Sequence, residues 1–254
     1  MKIRYSTIAA ALALACATLP SHAQVSADTQ QYGNGNNAYT EQSGDSGYTN
    51  AYINQNGSGN KAGDPNSWPY TVNETSGGIL QTNSVDAYAE IYQQGNNNTA
   101  MVKQDGVNNT GGYVDQQGDQ NVGALTQTNS SNSWAGIWQD GTANNGTIIQ
   151  ANVNNGSAYI DQYGTANTAT VNQHDGGDLY ADVYQQGSNN NGTITQTGFN
   201  GQAWIDQEGN GNLATISQTN TGGYNQAWIW QSGNNFVANI TQNGSNNNAG
   251  IYQH

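Results

Sequence analysis

The sequence predicts an all-β chain: a cross-β solenoid of about nine and a half strand–arc–strand rungs, with two facing parallel sheets. Three observations carry that prediction. A unit of about 23 residues recurs along the chain. Within each unit, small or aliphatic residues and a glutamine alternate with polar residues. The alternating runs are joined by short links rich in Gly and Asn. Fixed repetition points to a stack of like units, and a period of two is the pattern of strands. Gly and Asn tolerate the positive φ of a tight arc.

The first residues stand apart from the repeats. Lys2 and Arg4 precede an apolar run from Ile8 to Leu19, and Ser21-His22-Ala23 offers a small-residue cleavage site. Residues 1–23 therefore read as a secretory signal peptide, too short to span a bilayer, with a mature chain from Gln24. Cys16 follows Ala13, Leu14 and Ala15, a poor lipobox, which argues against lipidation. Cleavage would remove the only cysteine, so no disulfide would staple the exported chain. It would also leave Lys61 and Lys103 against all 17 acids. That balance excludes nucleic acid and anionic membranes as partners held by charge.

The units follow in order. Weak copies start at Ala27 and Ala51. The segment 63–77, "GDPNSWPYTVNETSG", then interrupts the series, and its prolines cannot sit in a central strand, so it reads as a loop inserted into one turn of the repeat. Strong copies start at Ala89, Gly112, Ala135, Ala158, Ala181, Ala203 and Ala227, and a half copy starts at Ala249. Residues 24–254 thus read as one solenoid. The leading glutamines are Gln31, Gln55, Gln93, Gln116, Gln139, Gln162, Gln185, Gln207, Gln231 and Gln253, mostly 22 to 24 residues apart. A second set closes each unit: Gln104, Gln127, Gln150, Gln173, Gln196, Gln218 and Gln242.

These glutamines fall in phase with the aliphatics and so point inward. A buried amide without partners costs ~1–3 kcal/mol. Stacked about 4.8 Å apart, however, each amide can bond to its equivalents above and below. The glutamines should therefore form two continuous ladders that fix the alignment of the rungs. Asn98, Asn121, Asn144, Asn167, Asn190 and Asn212 recur in the arc and should form a third. Phe236 replaces the arc asparagine in the ninth unit, and Thr29 and Thr40 replace aliphatics in the first, so the ladders should be weakest near the ends. Compositional bias alone would not hold Gln, Gly, Asn, Ala and Gln at constant offsets through eight copies.

Outward positions flank each leading glutamine. The column just before it reads Asp115, Trp138, Asp161, Tyr184, Asp206, Trp230, an alternation of acid and aromatic. Two residues earlier stand Tyr113, Tyr159, Trp204 and Trp228. Alternation would keep like charges two rungs apart, about 9–10 Å, near a Debye length. Such a face suits adhesion, bundling or stacking on polysaccharide, while β-propensity and solubility explain it equally well. On the second strand, Thr147, Thr170, Thr193 and Thr215 form a column, the basis of an alternative ice-binding reading. Met101, Ala124 and Asn239 interrupt it. Catalysis and cofactors are not expected. The mature chain has no Arg, His174 and His254 lie far apart, and no nucleophile–base set stands out. Asp175 and Asp178 could loosely hold a cation, but the nine-residue calcium repeat is absent.

The repeated residues resemble the curlin repeat of curli fibre subunits, roughly Ser-x5-Gln-x-Gly-x-x-Asn-x-Ala-x3-Gln. "QYGTANTATVNQ" from Gln162 and "QEGNGNLATISQ" from Gln207 match it from first Gln to last. The resemblance covers nearly the whole mature chain. It implies a cross-β solenoid exported unfolded through an outer-membrane pore of a Gram-negative bacterium. Outside, it would polymerise with copies of itself and other curlin subunits, started by a nucleator, into a cell-surface amyloid fibre. That fibre would serve biofilm matrix and adhesion to host or abiotic surfaces. The chain departs from the family in its larger number of repeats, in units opening with Ala or Gly, and in an abbreviated pore-addressing segment between Gln24 and Thr29. The scarcity of basic residues in the last units favours a major subunit over a minor, nucleating one.

Overall fold

The computed structural model describes residues 24–62 and 78–254; the predicted signal peptide and the inserted loop lie outside the described residues. Among the described residues every regular element is a β-strand. Ten first strands form one parallel sheet, in chain order from Gln24–Asn34 and Tyr48–Ser58 to Asn225–Asn234 and Asn248–Gln253. The second strands form an opposing parallel sheet, in which Asn145–Asn154, Thr168–Gly177 and Asn191–Phe199 are successive members. That sheet counts eleven strands because the second strands of the first two rungs are each in two pieces. The architecture is a solenoid of nine full rungs and a tenth first strand, with the all-β, two-sheet design that the repeat dictates.

Stacking is in register. Trp134–Thr142 pairs with Ser157–Thr165 so that Ala135 meets Ala158, Ile137 meets Ile160, Gln139 meets Gln162 and Gly141 meets Gly164. The period-two pattern places Ala, Ile or Val, and Gln on the inner face of both sheets, where Ile137, Ile148, Ile160 and Val171 are fully buried. The core is therefore narrow: one small, one aliphatic and one amide position per strand. That apolar area is too small to order an isolated rung, so each rung depends on its neighbours.

Two departures from perfect repetition have sequence causes. The second strand of rung two is Lys61–Ala62 followed by Gly78–Thr82, and Lys61 pairs with Thr99 while Gly78 pairs with Met101. Residues 63–77 thus interrupt a second strand without displacing a register position. A register shift between His174 and Gly177 follows from arc length, because Gln173 to Gln185 is 12 residues whereas Gln196 to Gln207 in the next rung is 11.

Candidate functional site

The glutamines of the first sheet lie in one column along the solenoid. Gln93 Nε2 donates to Gln116 Oε1 at 2.8 Å, Gln116 to Gln139 at 2.8 Å, Gln139 to Gln162 at 2.8 Å and Gln162 to Gln185 at 2.9 Å. The column runs without a break from Gln31 and Gln55 at one end through Gln207 to Gln231 and Gln253 at the other. In the second sheet Gln104, Gln127, Gln150, Gln173, Gln196, Gln218 and Gln242 are linked in the same way. Beyond Gln31, at the end of the stack, each amide spends its other N–H on a backbone carbonyl at the rim of the opposite sheet: Gln139 on Val122 at 2.9 Å, Gln173 on Ser157 at 3.0 Å. An interior glutamine therefore makes three hydrogen bonds with no water, which meets the requirement on a buried amide. Every Nε2 donates towards the next rung, so both columns have a direction.

The arc asparagines form a column of another kind. They do not bond side chain to side chain. Asn144 Oδ1 accepts from the backbone N–H of Asn167 at 3.1 Å, and Asn144 Nδ2 donates to Gly164 O at 3.1 Å. Asn98, Asn121, Asn167, Asn190 and Asn212 repeat the pattern. Asn212 Oδ1 accepts from Phe236 N–H at 3.0 Å, and Phe236 packs its ring against Gly233. Beside the asparagines runs a glycine column with positive φ, for example 126° at Gly141, 115° at Gly164 and 121° at Gly187. A Cβ on Gly164 would overlap the carbonyl oxygen of Gly187.

Four members of these columns are not among the predicted residues. Gln42 donates to Gln81 at 2.7 Å and Gln81 to Gln104 at 2.8 Å, which extends the second column through the interrupted rung. Asn36 and Asn60 extend the arc column. Their signal was present: Gln42 closes the Ala27 copy, and Ile79-x-Gln81 resumes the frame after the insertion.

The outer column Asp115, Trp138, Asp161, Tyr184, Asp206, Trp230 is in register as spaced. The adjacent column undoes its charge separation, because Glu90 and Asp182 bring further carboxylates diagonally beside Asp115, Asp161 and Asp206. The acids are also half-buried among flattened aromatic rings rather than solvated. Tyr113 lies across Gly136, Trp134 across Gly111 and Trp228 across Gly250, each ring occupying the place of a missing Cβ. Tyr159, Tyr180 and Trp204 form a run with ring centroids 6.2 and 5.5 Å apart. Glu90, Tyr92, Tyr113, Val114, Asp115 and Trp138 line a shallow cleft of about 260 Å³.

Burial first, and then the Glu90 charge, push the Asp115 carboxyl up to about 6; burial and then Asp161 do the same at Asp182. Asp45, in the arc after the first rung, is also held at about 6 by burial, against a hydrogen bond from Ser84 N–H. A carboxyl whose folded pKa lies above its unfolded value contributes stability that is complete below the unfolded pKa, 3.8, and is lost as pH rises through about 6. The folded solenoid should therefore resist denaturant better at pH 4.5 than at pH 7.5. Asp115→Asn with Asp182→Asn should flatten most of that difference. A denaturant midpoint that rises with pH in the parent chain would contradict this.

The threonine column is continuous from Thr147 through Thr170 and Thr193 to Thr215, and is partly exposed. His174 bonds to Thr197 Oγ1 at 2.9 Å, and Asp175 and Asp178 accept from Asn152 and Asn155 of the preceding rung. No group of three His, Cys, Asp or Glu side chains among the described residues is placed to hold a metal ion.

The family model of the curlin associated repeat matches residues 86–110 and 187–219. The first match contains Gln93, Asn98 and Gln104; the second contains Asn190, Gln196, Gln207, Asn212 and Gln218. These are members of the amide columns described above. Comparison with curated proteins gave no match.

Proposed function

We propose that the chain, two stretches of which match the curlin associated repeat, is a secreted structural subunit that polymerises end to end into extracellular, curli-type amyloid fibres. In that role it is the major subunit of a biofilm-matrix and adhesion fibre on a Gram-negative cell. It is exported by a curli-type pore after removal of residues 1–23, and started by a separate nucleator. The observation that carries the reading is that both glutamine columns run the length of the solenoid and stay open at each end. Unpaired strands at both end faces are templates for another copy of the same chain. Because Nε2 always donates in one direction, copies add head to tail. The outer rings and carboxylates supply the surface that meets polysaccharide or a solid support.

The chain from Gln24 onward, diluted from denaturant at micromolar concentration, should stay disordered through a lag and then form fibres. Their diffraction should show the ~4.8 Å spacing of stacked strands and the ~10 Å spacing of facing sheets. A monomer that remains stable and soluble for days would overturn the proposal.

A further inference from the structure

We propose that successive copies join with a half-turn about the solenoid axis. The first strand of one copy, Gln24–Asn34, closes onto the last second strand, Val237–Gly244, of the copy below. It does not close onto that copy's last first strand, Asn248–Gln253. This rests on the fibre reading and adds to it the relation between neighbours.

The upper end face consists of Val237–Gly244, the arc 244–247 and Asn248–Gln253, while the lower face consists of Gln24–Asn34, the arc 33–36 and the pieces Asn37–Ala38 and Thr40–Ser43. A single constant offset lays residues 27–42 over 238–253. Ala27 then falls on Ala238, Gln31 on Gln242, Gly33 on Gly244, Asn36 on Asn247, Ala38 on Ala249 and Gln42 on Gln253. Every inward column finds its own kind, except that Thr29 and Thr40 come over Ile240 and Ile251. Outside, Glu41 comes over Tyr252 and continues the stacking of acid on aromatic.

The backbones match as well. Gly33 and Gly35 have φ of 111° and 68°, and Gly244 and Asn246 have 108° and 60°. The other arc of the first rung turns at Gly44 and Gly47, with φ of 69° and 70°, a longer form with its second turn residue one place later. A stack without the half-turn would bring that longer arc over 244–247 only at two rungs' distance, with the arc between them missing. The half-turn sets like on like.

Hydrogen bonding decides between the two. At the upper face Gln242 and Gln253 each give one N–H to a carbonyl of their own copy, Gln226 O at 2.7 Å and Val237 O at 3.2 Å, and their second N–H has no acceptor among the described residues. At the lower face no described residue donates to Oε1 of Gln31 or Gln42. The half-turn carries both columns across the joint at once. Without it, Gln31 meets Gln253 but the second sheet lacks a strand, and Gln42 stands two rungs, ~9.6 Å, above Gln242, far beyond a hydrogen bond.

In a Cys16→Ala background, Gln30→Cys with Thr241→Cys places sulfurs on adjacent strands only across a half-turned joint, and Gln30→Cys with Tyr252→Cys only across an unrotated one. Cα atoms on paired strands lie within disulfide reach. Oxidised fibres of the first variant, dissolved without reductant, should run as a ladder of linked oligomers, and those of the second as monomer. Fibres that link through the second pair, or through neither, overturn the half-turn while leaving the fibre reading intact. A parent chain that forms no fibres removes the fibre reading itself, and this proposal with it. Should the cysteine variants fail to assemble, electron cryo-microscopy of unmodified fibres gives the same decision. Successive copies should rise by ~46 Å, nine and a half strand spacings, and turn by half a revolution beyond the solenoid's own twist. A rise of ten spacings with no half-turn would overturn it.

Discussion

Gln162→Leu should lengthen the lag before fibre formation at least tenfold and destabilise the solenoid by ~2–5 kcal/mol. The side chain it removes makes three bonds: it accepts from Gln139 Nε2 at 2.8 Å, and donates to Gln185 Oε1 at 2.9 Å and to Asn145 O at 3.1 Å. All three partners would be left inside a dry column, each at ~1–3 kcal/mol, with part offset by the apolar burial of leucine. The double variant Gln139→Leu with Gln162→Leu tests whether the column acts as a unit. Two single changes would orphan six groups. The adjacent pair orphans four, Gln116 Nε2, Gln185 Oε1, Val122 O and Asn145 O, because the lost Gln139–Gln162 bond leaves nothing behind. The double variant should therefore cost clearly less than the sum of the singles. Assembly kinetics and denaturant midpoints of the three variants supply the measurement. Single variants indistinguishable from the parent would mean that the amides do not hold the stack together.

The inward half of this architecture is legible in the sequence because two periodicities constrain it together. A period of two assigns each residue a face, and a period of about 23 assigns it a neighbour above and below. Those rules place Gln139 beneath Gln162 without knowledge of side-chain conformation, since a column of identical amides has one way to satisfy itself. They even account for the shift at His174, where one arc is a residue longer than the next. The arc was harder to read. Spacing aligns Asn144 with Asn167 but does not say that Oδ1 takes a backbone N–H in preference to the neighbouring amide. The outer face was harder still, because an outward ring has room to choose. Tyr113 lies down over Gly136 since that glycine offers no side chain to stand beside. The carboxylates it half-covers are then desolvated and crowded diagonally, which a reading of one column at a time does not reveal. Gln81 was obscured for a simpler reason: 15 inserted residues separate it from the first part of its own strand.

Gly164→Ala, like the same change at its neighbours in the glycine column, should be among the most damaging single-methyl changes. Gly164 has φ 115°, outside the region an L side chain adopts, which alone costs ~1–3 kcal/mol. The added Cβ would also overlap Gly187 O, the atom that accepts from Asn167 Nδ2 at 3.0 Å. Nothing there is the far end of a flexible side chain. Relief requires the backbone of one rung to move from the next, and that stretches ladder bonds in a stack whose members are all in register. Loss of assembly, or destabilisation of at least ~4 kcal/mol, is the expected result when strain and broken hydrogen bonds combine. Two other glycines separate this mechanism from a general loss of flexibility. Gly35→Ala meets open space, with only a φ of 68° to strain it, and Gly136→Ala meets the Tyr113 ring, which can swing outward. Both should assemble with lag times within a few-fold of the parent. If Gly164→Ala assembled as readily as they do, the rungs would not be held at the contact distance that the glycine column defines, and the columns of Gln and Asn beside it would lose their fixed spacing.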